Sequence, residues 1–263
     1  MRATLIVPTL NEAESIGHVL RTFRSAADDA NATLFRGRPI DWEMLVVDGG
    51  STDGTAAIAE GAGARVIVDP RRGYGRAYKT GFAAASGEII ATADGDGTYP
   101  VETIPALVDR LEREGIDFLT GNRLAFIDQK AMTTEHRIGN RVLNLLMGVA
   151  YHHWLKQMPG GPLVDSQSGF WIFRRQILAR VHVSEDSMAF SEELKIEAIL
   201  RGLRIVEVPI RYGERWGRPK LSSWRDGVHN LMFLAEKRLA VYREGTRGRP
   251  VPFAHGPDAV PPP

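Results

Sequence analysis

Two aspartates two residues apart, Asp94 and Asp96, close the apolar run that begins at Ile89, in the stretch IIATADGDGTYP. Successive side chains of an extended segment point to opposite faces, so residues at spacing two share a face. Two hard carboxylates then converge at the mouth of a buried strand. Such a pair suits a divalent cation that completes its shell with waters and substrate phosphates. Gly95 and Gly97 let backbone approach a bulky ligand. Asp and Gly are also the ordinary residues of a polar turn, so the pair decides nothing until its surroundings are read.

The chain has 263 residues, 43% hydrophobic and 25% charged, proportions that require most of it to fold around a core. A net charge of +1 gives no general attraction to nucleic acid, and none is expected as a partner. With no cysteine there is no disulfide framework, thiolate metal site or cysteine nucleophile, which suits a reducing cytosol. The first residues, MRATLIVPTLNE, hold too short an apolar run for a leader and read straight into a strand. No window approaches the roughly 20 apolar residues of a membrane span. Contact with a bilayer would therefore be peripheral.

Strand and helix patterns alternate along the first half. Leu5 to Val7, closed by Pro8, reads as a first buried strand, and Leu45 to Val47, Val66 to Val68, Ile89 onward and Asp117 to Thr120 read as others. Between them, Ile16, Val19, Leu20 and Phe23 lie at helical spacing with Asn11 able to cap them, residues 28–41 read as a polar loop, and Ala77 to Ala85 as a small-residue helix. Pro100 sits where the next helix should open. The alternation predicts an α/β fold with a doubly wound, mainly parallel sheet, whose ligands bind outside the carboxyl ends of the strands. Those ends carry Pro8 to Glu12, Asp48 to Asp53, Asp69, and Asp94 to Asp96.

Beyond Arg123 the pattern changes. A strongly apolar segment, His136 to Leu155, has Arg137, Arg141 and Lys156 at its borders. It is too short to span a membrane and suits either a core helix or one lying among lipid headgroups. A Gly/Pro/Ser-rich loop over 158–169 leads into the apolar run Phe170 to Phe173. A helix capped by Ser191 is expected over 191–201, and Pro209 marks 206–210 as an edge strand. A last helix over 225–243 places Val228, Leu231, Met232, Ala235 and Leu239 on one face, expected to pack on the domain. The composition then turns to Gly, Pro and charge, and 244–263 is expected to be a disordered tail.

Two familiar phosphate motifs do not fit. Gly73-Tyr74-Gly75 lacks the third glycine of a dinucleotide fingerprint and follows the third strand rather than the first, and Lys79-Thr80 is wrongly spaced for a phosphate loop. A small-residue helix packed closely on the sheet explains these glycines better. His152-His153 has no other ligands at metal spacing and reads as a polar helix edge.

Taken together, Pro8-Thr9-Leu10-Asn11-Glu12, the VVDGGSTDGT of 46–55, the RGYGRAYKTG of 72–81 and ADGDGTYP resemble the inverting nucleotide-sugar glycosyltransferases of family two, which have the GT-A fold. Gly121-Asn122-Arg123, Arg137, the Asp165-Ser166-Gln167-Ser168-Gly169-Phe170 loop, Glu193-Leu194 and Lys220-Leu221 resemble the branch of dolichyl-phosphate mannose synthase and its glucosyl relatives. The resemblance runs from about residue 3 to 225. It implies one GT-A domain over 1–243, with a nucleotide-sugar half (1–122) and a smaller acceptor-side region (123–243).

On that resemblance the donor nucleotide sugar would lie against Pro8, Leu10, Asn11, Glu12, Asp48, Gly50, Ser51, Asp69, Lys79, Asp94, Gly95 and Asp96. Asp94 and Asp96 would hold Mg²⁺ or Mn²⁺ on the diphosphate, offsetting charge on the departing nucleoside diphosphate. Two positions depart from the pattern. Thr98 stands where mannose synthases often carry Gln, a further metal contact, and Gly49 where a second acidic residue often sits. Arg123, Arg137, Arg215 and Lys220 would bind a polyprenyl phosphate, with Ser168 adding a hydrogen bond, because Arg forks suit phosphate oxygens. A phosphate anion can attack the anomeric carbon without a base; a hydroxyl acceptor would need one, and Glu192 and Glu193 are the candidates. The catalytic set is then Asp94, Asp96, Arg123 and Glu193.

The expected activity is metal-dependent, inverting transfer of a hexose to a polyprenyl phosphate, at the cytoplasmic face of a membrane and with room for a membrane-anchoring partner subunit. The alternatives are the same chemistry on a soluble hydroxyl acceptor, and a nucleotide-binding protein without turnover.

Overall fold

The computed structural model describes residues 1–127, 134–155, 163–217 and 223–244. One seven-stranded sheet organises them, in the order β3-β2-β1-β4-β6-β5-β7. Its strands are β1 (Arg2–Thr9), β2 (Asp41–Asp48), β3 (Arg65–Val68), β4 (Ile89–Thr92), β5 (Phe118–Ile127), β6 (Trp171–Arg174) and β7 (Ile205–Tyr212). The helices are α1 (Ile16–Thr33), α2 (Thr55–Gly61), α3 (Tyr74–Ala84), α4 (Ile104–Glu114), α5 (Thr134–Ala150), α6 (His152–Leu155), α7 (Phe190–Leu200) and α8 (Ser223–Glu244).

Strands β1, β2 and β4 are apolar without alternation because both faces of the sheet are covered. Leu5, Val7, Val46 and Ala91 point into one core with Val19, Phe23 and Val108, from α1 and α4. Ile6, Leu45, Val47 and Ile90 point into the other with Tyr78, Phe82 and Phe190, from α3 and α7. The expected parallel sheet is present in β1 to β4 and in β5–β7. The exception is β6, antiparallel to both β4 and β5. Because β6 runs backwards, the loop before it arrives at the edge where its neighbours end. It also interleaves the two halves of the chain, lying between β4 and β5.

At the opposite edge, Glu43 of β2 joins four strands' worth of chain: its carboxylate accepts from Thr4 Oγ (2.6 Å), Ser86 N (3.0 Å), Ser86 Oγ (2.6 Å) and the Arg65 guanidinium (2.7 Å). The floor of the sheet is fastened there, and the functional edge is left to the loops.

Several elements differ from the sequence expectation for identifiable reasons. Helix α1 continues to Thr33, through residues expected to be loop, because Ala27 and Ala30 are buried at helical spacing and their small side chains give a weak apolar signal. Its N-cap is Ser15 rather than Asn11, which instead adopts a left-handed φ of 53° and accepts a hydrogen bond from Thr52 N (2.8 Å). Helix α7 opens at Phe190 after Ala189, so Ser191 lies inside its first turn and does not cap it. Pro100 introduces a single 3₁₀ turn, Val101–Thr103, before α4 begins. Strand β7 is an edge strand, with Pro209 opposite Asn122 where the β5–β7 register slips.

The last helix overturns an expectation. Val228, Leu231, Met232, Ala235 and Leu239 form its solvent face, while Asn230, Phe233 and Leu234 are buried. Helix α5, which packs on α8, likewise buries Leu143 and Met147 and exposes Val142, Leu145 and Val149. No helix among the described residues is long and apolar enough to cross a membrane. Residues 245–263, the bulk of the expected tail, lie outside the described residues.

Candidate active site

The carboxyl ends of β1, β2 and β4 and the chain leading into β6 converge on the DGDG turn. Asp96 is 1% exposed. Its Oδ1 accepts from Thr98 N (3.0 Å) and Thr98 Oγ (2.7 Å), and its Oδ2 lies 2.6 Å from Arg215 Nη2. Asp94 is only partly covered and is met by the Tyr78 hydroxyl at 3.4 Å. Burial, then the neighbouring Asp96 charge, push the Asp94 carboxyl up to about 7; Arg215 and Arg123 act against the shift. Gly95 is enforced by packing, since a Cβ there would press on Thr9 Cγ2, and its carbonyl accepts from Ser15 Oγ (2.6 Å).

The donor-side loops are braced by the side chains expected to bind nucleotide. Asp48, 1% exposed, accepts from Thr9 Oγ (3.1 Å) and Ser51 Oγ (2.5 Å) through Oδ1 and from Gly50 N and Ser51 N through Oδ2. Ser51 Oγ accepts from Asn11 N (2.8 Å), tying the 48–55 loop to the 9–12 loop. Glu12 is nearly buried and its N–H donates to Thr55 Oγ (2.8 Å). Leu10 is 40% exposed beside them. Asp69 is held by the Arg71 fork (2.7 and 2.8 Å) and by Thr80 Oγ (2.5 Å). The ammonium of Lys79 turns away from this edge, donating to Ser184 O (2.8 Å) and pairing with Asp186 (2.6 Å). Pro8, Leu10, Asn11, Glu12, Asp48, Gly50, Ser51 and Asp69 are therefore brought to one edge, whereas Lys79 secures α3 to the segment before α7.

The side expected to take the acceptor is framed by the loop 165–169. Arg123 grips Asp165 through Nε (2.8 Å) and Nη2 (2.8 Å), and its backbone N–H adds a third bond (3.0 Å). The Tyr212 ring lies 5.5 Å from the guanidinium. Burial alone would raise the Asp165 carboxyl, but the Arg123 charge beside it holds it below the usual range. Beneath the loop sits a residue that the sequence reading missed. Lys195 is fully buried, and its ammonium gives hydrogen bonds to Asp165 O (2.7 Å), Ser166 O (3.0 Å) and Ser168 O (3.0 Å). Burial lowers this group to about 8 despite the nearby Asp165 and Glu207 carboxylates. Ser168 is itself buried, and its Oγ accepts from Phe170 N (3.3 Å).

The two candidate bases separate. Glu193 takes hydrogen bonds from Ser184 N (2.9 Å), Glu185 N (2.8 Å) and Ser184 Oγ (3.0 Å) and an ion pair from Lys237 (3.3 Å). It braces the loop before α7, where the sequence offered it, with Glu192, as a candidate base for a hydroxyl acceptor. Glu192 faces the 165–169 loop, 3.4 Å from Ser166 Oγ, and burial raises it to about 8. Of the remaining expected acceptor cations, Arg215 pairs with Asp96 as described, Arg137 lies in α5 with its side chain outside the described residues, and Lys220 lies outside them altogether.

Could the turn hold a divalent cation? Asp96 Oδ2 is a buried oxygen with no hydrogen bond of good geometry, and Asp94 stands beside it. No cluster of three or more His, Asp or Glu forms a closed ligand set among the described residues. Two carboxylates with open positions fit Mg²⁺ or Mn²⁺ shared with substrate phosphates, and do not fit a closed structural site.

Residues 4–181, spanning every strand of the donor side and the Arg123–Asp165 pair, match glycosyl transferase family 2. The chain belongs to that family. It is a glycosyltransferase of the GT-A fold. A dolichyl-phosphate hexose transferase of Haloferax volcanii is 34% identical over 228 residues, which are 85% of this chain and 88% of the relative. The glycosyltransferase AglJ of the same organism is 33% identical over 239 residues, 90% of this chain and 71% of the relative. Among solved structures, glucosyl-3-phosphoglycerate synthase of Mycobacterium tuberculosis, crystallised with Mn²⁺, UDP and glucosyl-3-phosphoglycerate, superposes with a TM-score of 0.66 at 24% identity. It covers 89% of this chain and 79% of its own. At that identity the likeness speaks for the fold.

Proposed function

We propose that this glycosyltransferase moves a hexose from a nucleoside-diphosphate sugar to a polyprenyl phosphate, with inversion at the anomeric carbon. The observation that carries the reading is the Asp94–Asp96 pair at the end of β4, facing the buried Arg123–Asp165 ion pair on the acceptor side. The names of relatives such as the dolichyl-phosphate hexose transferase support the acceptor class.

Asp94 and Asp96 would hold Mg²⁺ or Mn²⁺, which when bound offsets the charge that develops on the leaving diphosphate. Leu10, Glu12 and the 48–51 loop would flank the nucleoside. Asp48 fixes that loop rather than reading the base directly, because its four short contacts are all internal. The Arg123 fork spends Nε and Nη2 on Asp165, leaving Nη1 for a phosphate oxygen of the acceptor. One carboxylate thereby orients the cation while part of its charge stays available. The acceptor phosphate oxygen attacks the anomeric carbon as the bond to the leaving phosphate breaks, and no proton has to move.

A hydroxyl acceptor would require a base, and neither of the two candidates from the sequence suits that role: Glu193 is saturated with donors, and burial raises Glu192 to about 8, favouring its protonated form. The phosphate acceptor needs neither. The exposed apolar residues of α5 and α8 support peripheral contact with the lipid that would hold such an acceptor.

The test is incubation of the purified protein and Mn²⁺ with a panel of labelled nucleotide sugars, together with either polyprenyl phosphate vesicles or soluble hydroxyl acceptors. The expected product partitions into organic solvent and requires the phosphate headgroup. Transfer only to water-soluble acceptors rejects the lipid reading. Nucleotide binding without transfer to any acceptor rejects turnover.

A further inference from the structure

The segment between β7 and α8 folds back across the DGDG turn. Gly213 N donates to Thr98 O (2.9 Å) and Trp216 N to Asp96 O (3.0 Å), so two backbone bonds bracket Gly97. The Trp216 ring lies over Gly97, close enough that a Cβ there would touch it at 3.5 Å, and stacks on His18 of α1 with centroids 4.9 Å apart and planes 12° from parallel. Between these anchors Arg215 reaches down to Asp96 Oδ2 at 2.6 Å, the oxygen that receives no other hydrogen bond. The Arg215 side chain keeps 29% of its surface exposed while that of Asp96 keeps 2%.

We infer that Arg215 is an exchangeable internal counter-ion: it neutralises Asp96 before a divalent cation binds, gives up that carboxylate when one does, and is then in position to pair with the diphosphate. The role expected from sequence, acceptor-phosphate binding, is replaced by one on the donor side. A dication and a guanidinium repel each other strongly at contact distance in a partly desolvated site. Asp96 Oδ1 is already committed to Thr98, so cation and guanidinium compete for Oδ2. The covering segment stays anchored by its backbone bonds and the Trp216–His18 stack, so the released side chain swings without leaving the site. A diphosphate brought in with the cation supplies the negative charge that Arg215 has lost.

The exchange presupposes the metal and nucleotide reading of the DGDG turn, and it predicts effects of opposite sign. Mn²⁺ alone, titrated by the electron paramagnetic resonance signal of the free ion, should bind Arg215→Met about tenfold more tightly than wild type. UDP in the presence of saturating Mn²⁺, measured by calorimetry, should bind the same variant about tenfold more weakly. Arg215→Lys keeps the charge and should restore near wild-type Mn²⁺ affinity. If Arg215→Met binds Mn²⁺ alone no more tightly than wild type, or if Met and Lys raise the affinity alike, the exchange is wrong while the nucleotide reading stands. If wild type binds neither Mn²⁺ nor UDP, and Asp96→Asn changes nothing, the underlying reading falls and the exchange falls with it.

Discussion

At the residue scale the site turns on unequal treatment of two neighbouring carboxylates. Asp96 is buried, hydrogen-bonded by Thr98 and paired with Arg215, whereas Asp94 bears the repulsion of its neighbour with one long contact from Tyr78. Asp96→Asn keeps the shape and can still accept from Thr98, so the fold should hold. It removes the charge that a divalent cation needs, and losing one such electrostatic element costs about 10²–10³ in turnover. Steady-state kinetics with circular dichroism will check both halves; near-wild-type turnover would reject the metal assignment. The two acidic residues closing an apolar run were legible, but the shared face of a strand is not what places them: β4 ends at Thr92, and Asp94 and Asp96 stand in the turn beyond it. Lys195 was not legible, because a lysine between Glu192 and Glu197 reads as a solvated helix face. Only the reversed strand β6 brings three carbonyls down onto it.

At the element scale, the fate of the 165–169 loop follows from the direction of β6. Nothing in Trp171–Arg174 distinguishes a parallel from an antiparallel strand, since both are apolar when covered on two faces. The loop was legible as Gly/Ser-rich and its placement was not. Lys195→Met should leave three carbonyls without donors and strip a cation from beside Asp165 and Glu207. A loss of about 3 kcal/mol, or roughly 6–12 °C in Tm, is expected by calorimetry. Turnover should fall at least in parallel, since the loop orients Arg123. Unchanged Tm would mean that the loop stands without its buried ammonium.

The opposite edge of the sheet makes a pH prediction. Burial of Glu43 would raise its pKa, but hydrogen bonds from Ser86 and Thr4, with Arg65 alongside, hold it at about 2. A carboxylate with a folded-state pKa below its ordinary value of 4.5 contributes stability that is fully present above about pH 4.5 and is lost as pH falls toward 2. Discounted for solvent screening of a partly open group, the contribution is on the order of 2 kcal/mol. Glu43→Gln should therefore be less stable at neutral pH and show a shallower loss of stability between pH 4.5 and 2 in urea titrations. Parallel curves for the two proteins would remove Glu43 as the fastening of the sheet floor.

At the scale of the whole molecule, α5 and α8 are apolar on two faces, which a sequence reading cannot apportion. The stripe Val228, Leu231, Met232, Leu239 matched the helical repeat and was expected to face the core. Yet Phe233, Leu234 and Asn230, one step round the helix, are what the core receives. Leu145 and Val149 on α5 are 67% and 70% exposed, and Met232 and Tyr242 on α8 are 58% and 68% exposed, a larger outward apolar display than single surface residues make. Arg141 is exposed on the same helix as Leu145 and Val149, and the proposed lipid acceptor makes this display the surface to test for contact with an anionic bilayer. The Leu145→Asp, Met232→Asp double variant should fold normally, since exposed substitutions shift stability by only about 0.5 kcal/mol. Each lost side chain withdraws about 1.5 kcal/mol of burial in lipid, so flotation with anionic vesicles should weaken by roughly 100-fold for the pair. Transfer to a short, water-soluble polyprenyl phosphate analogue should be preserved. If the double variant floats as well as wild type, the two helices do not meet the bilayer, and the acceptor we propose would have to reach Arg123 over another surface.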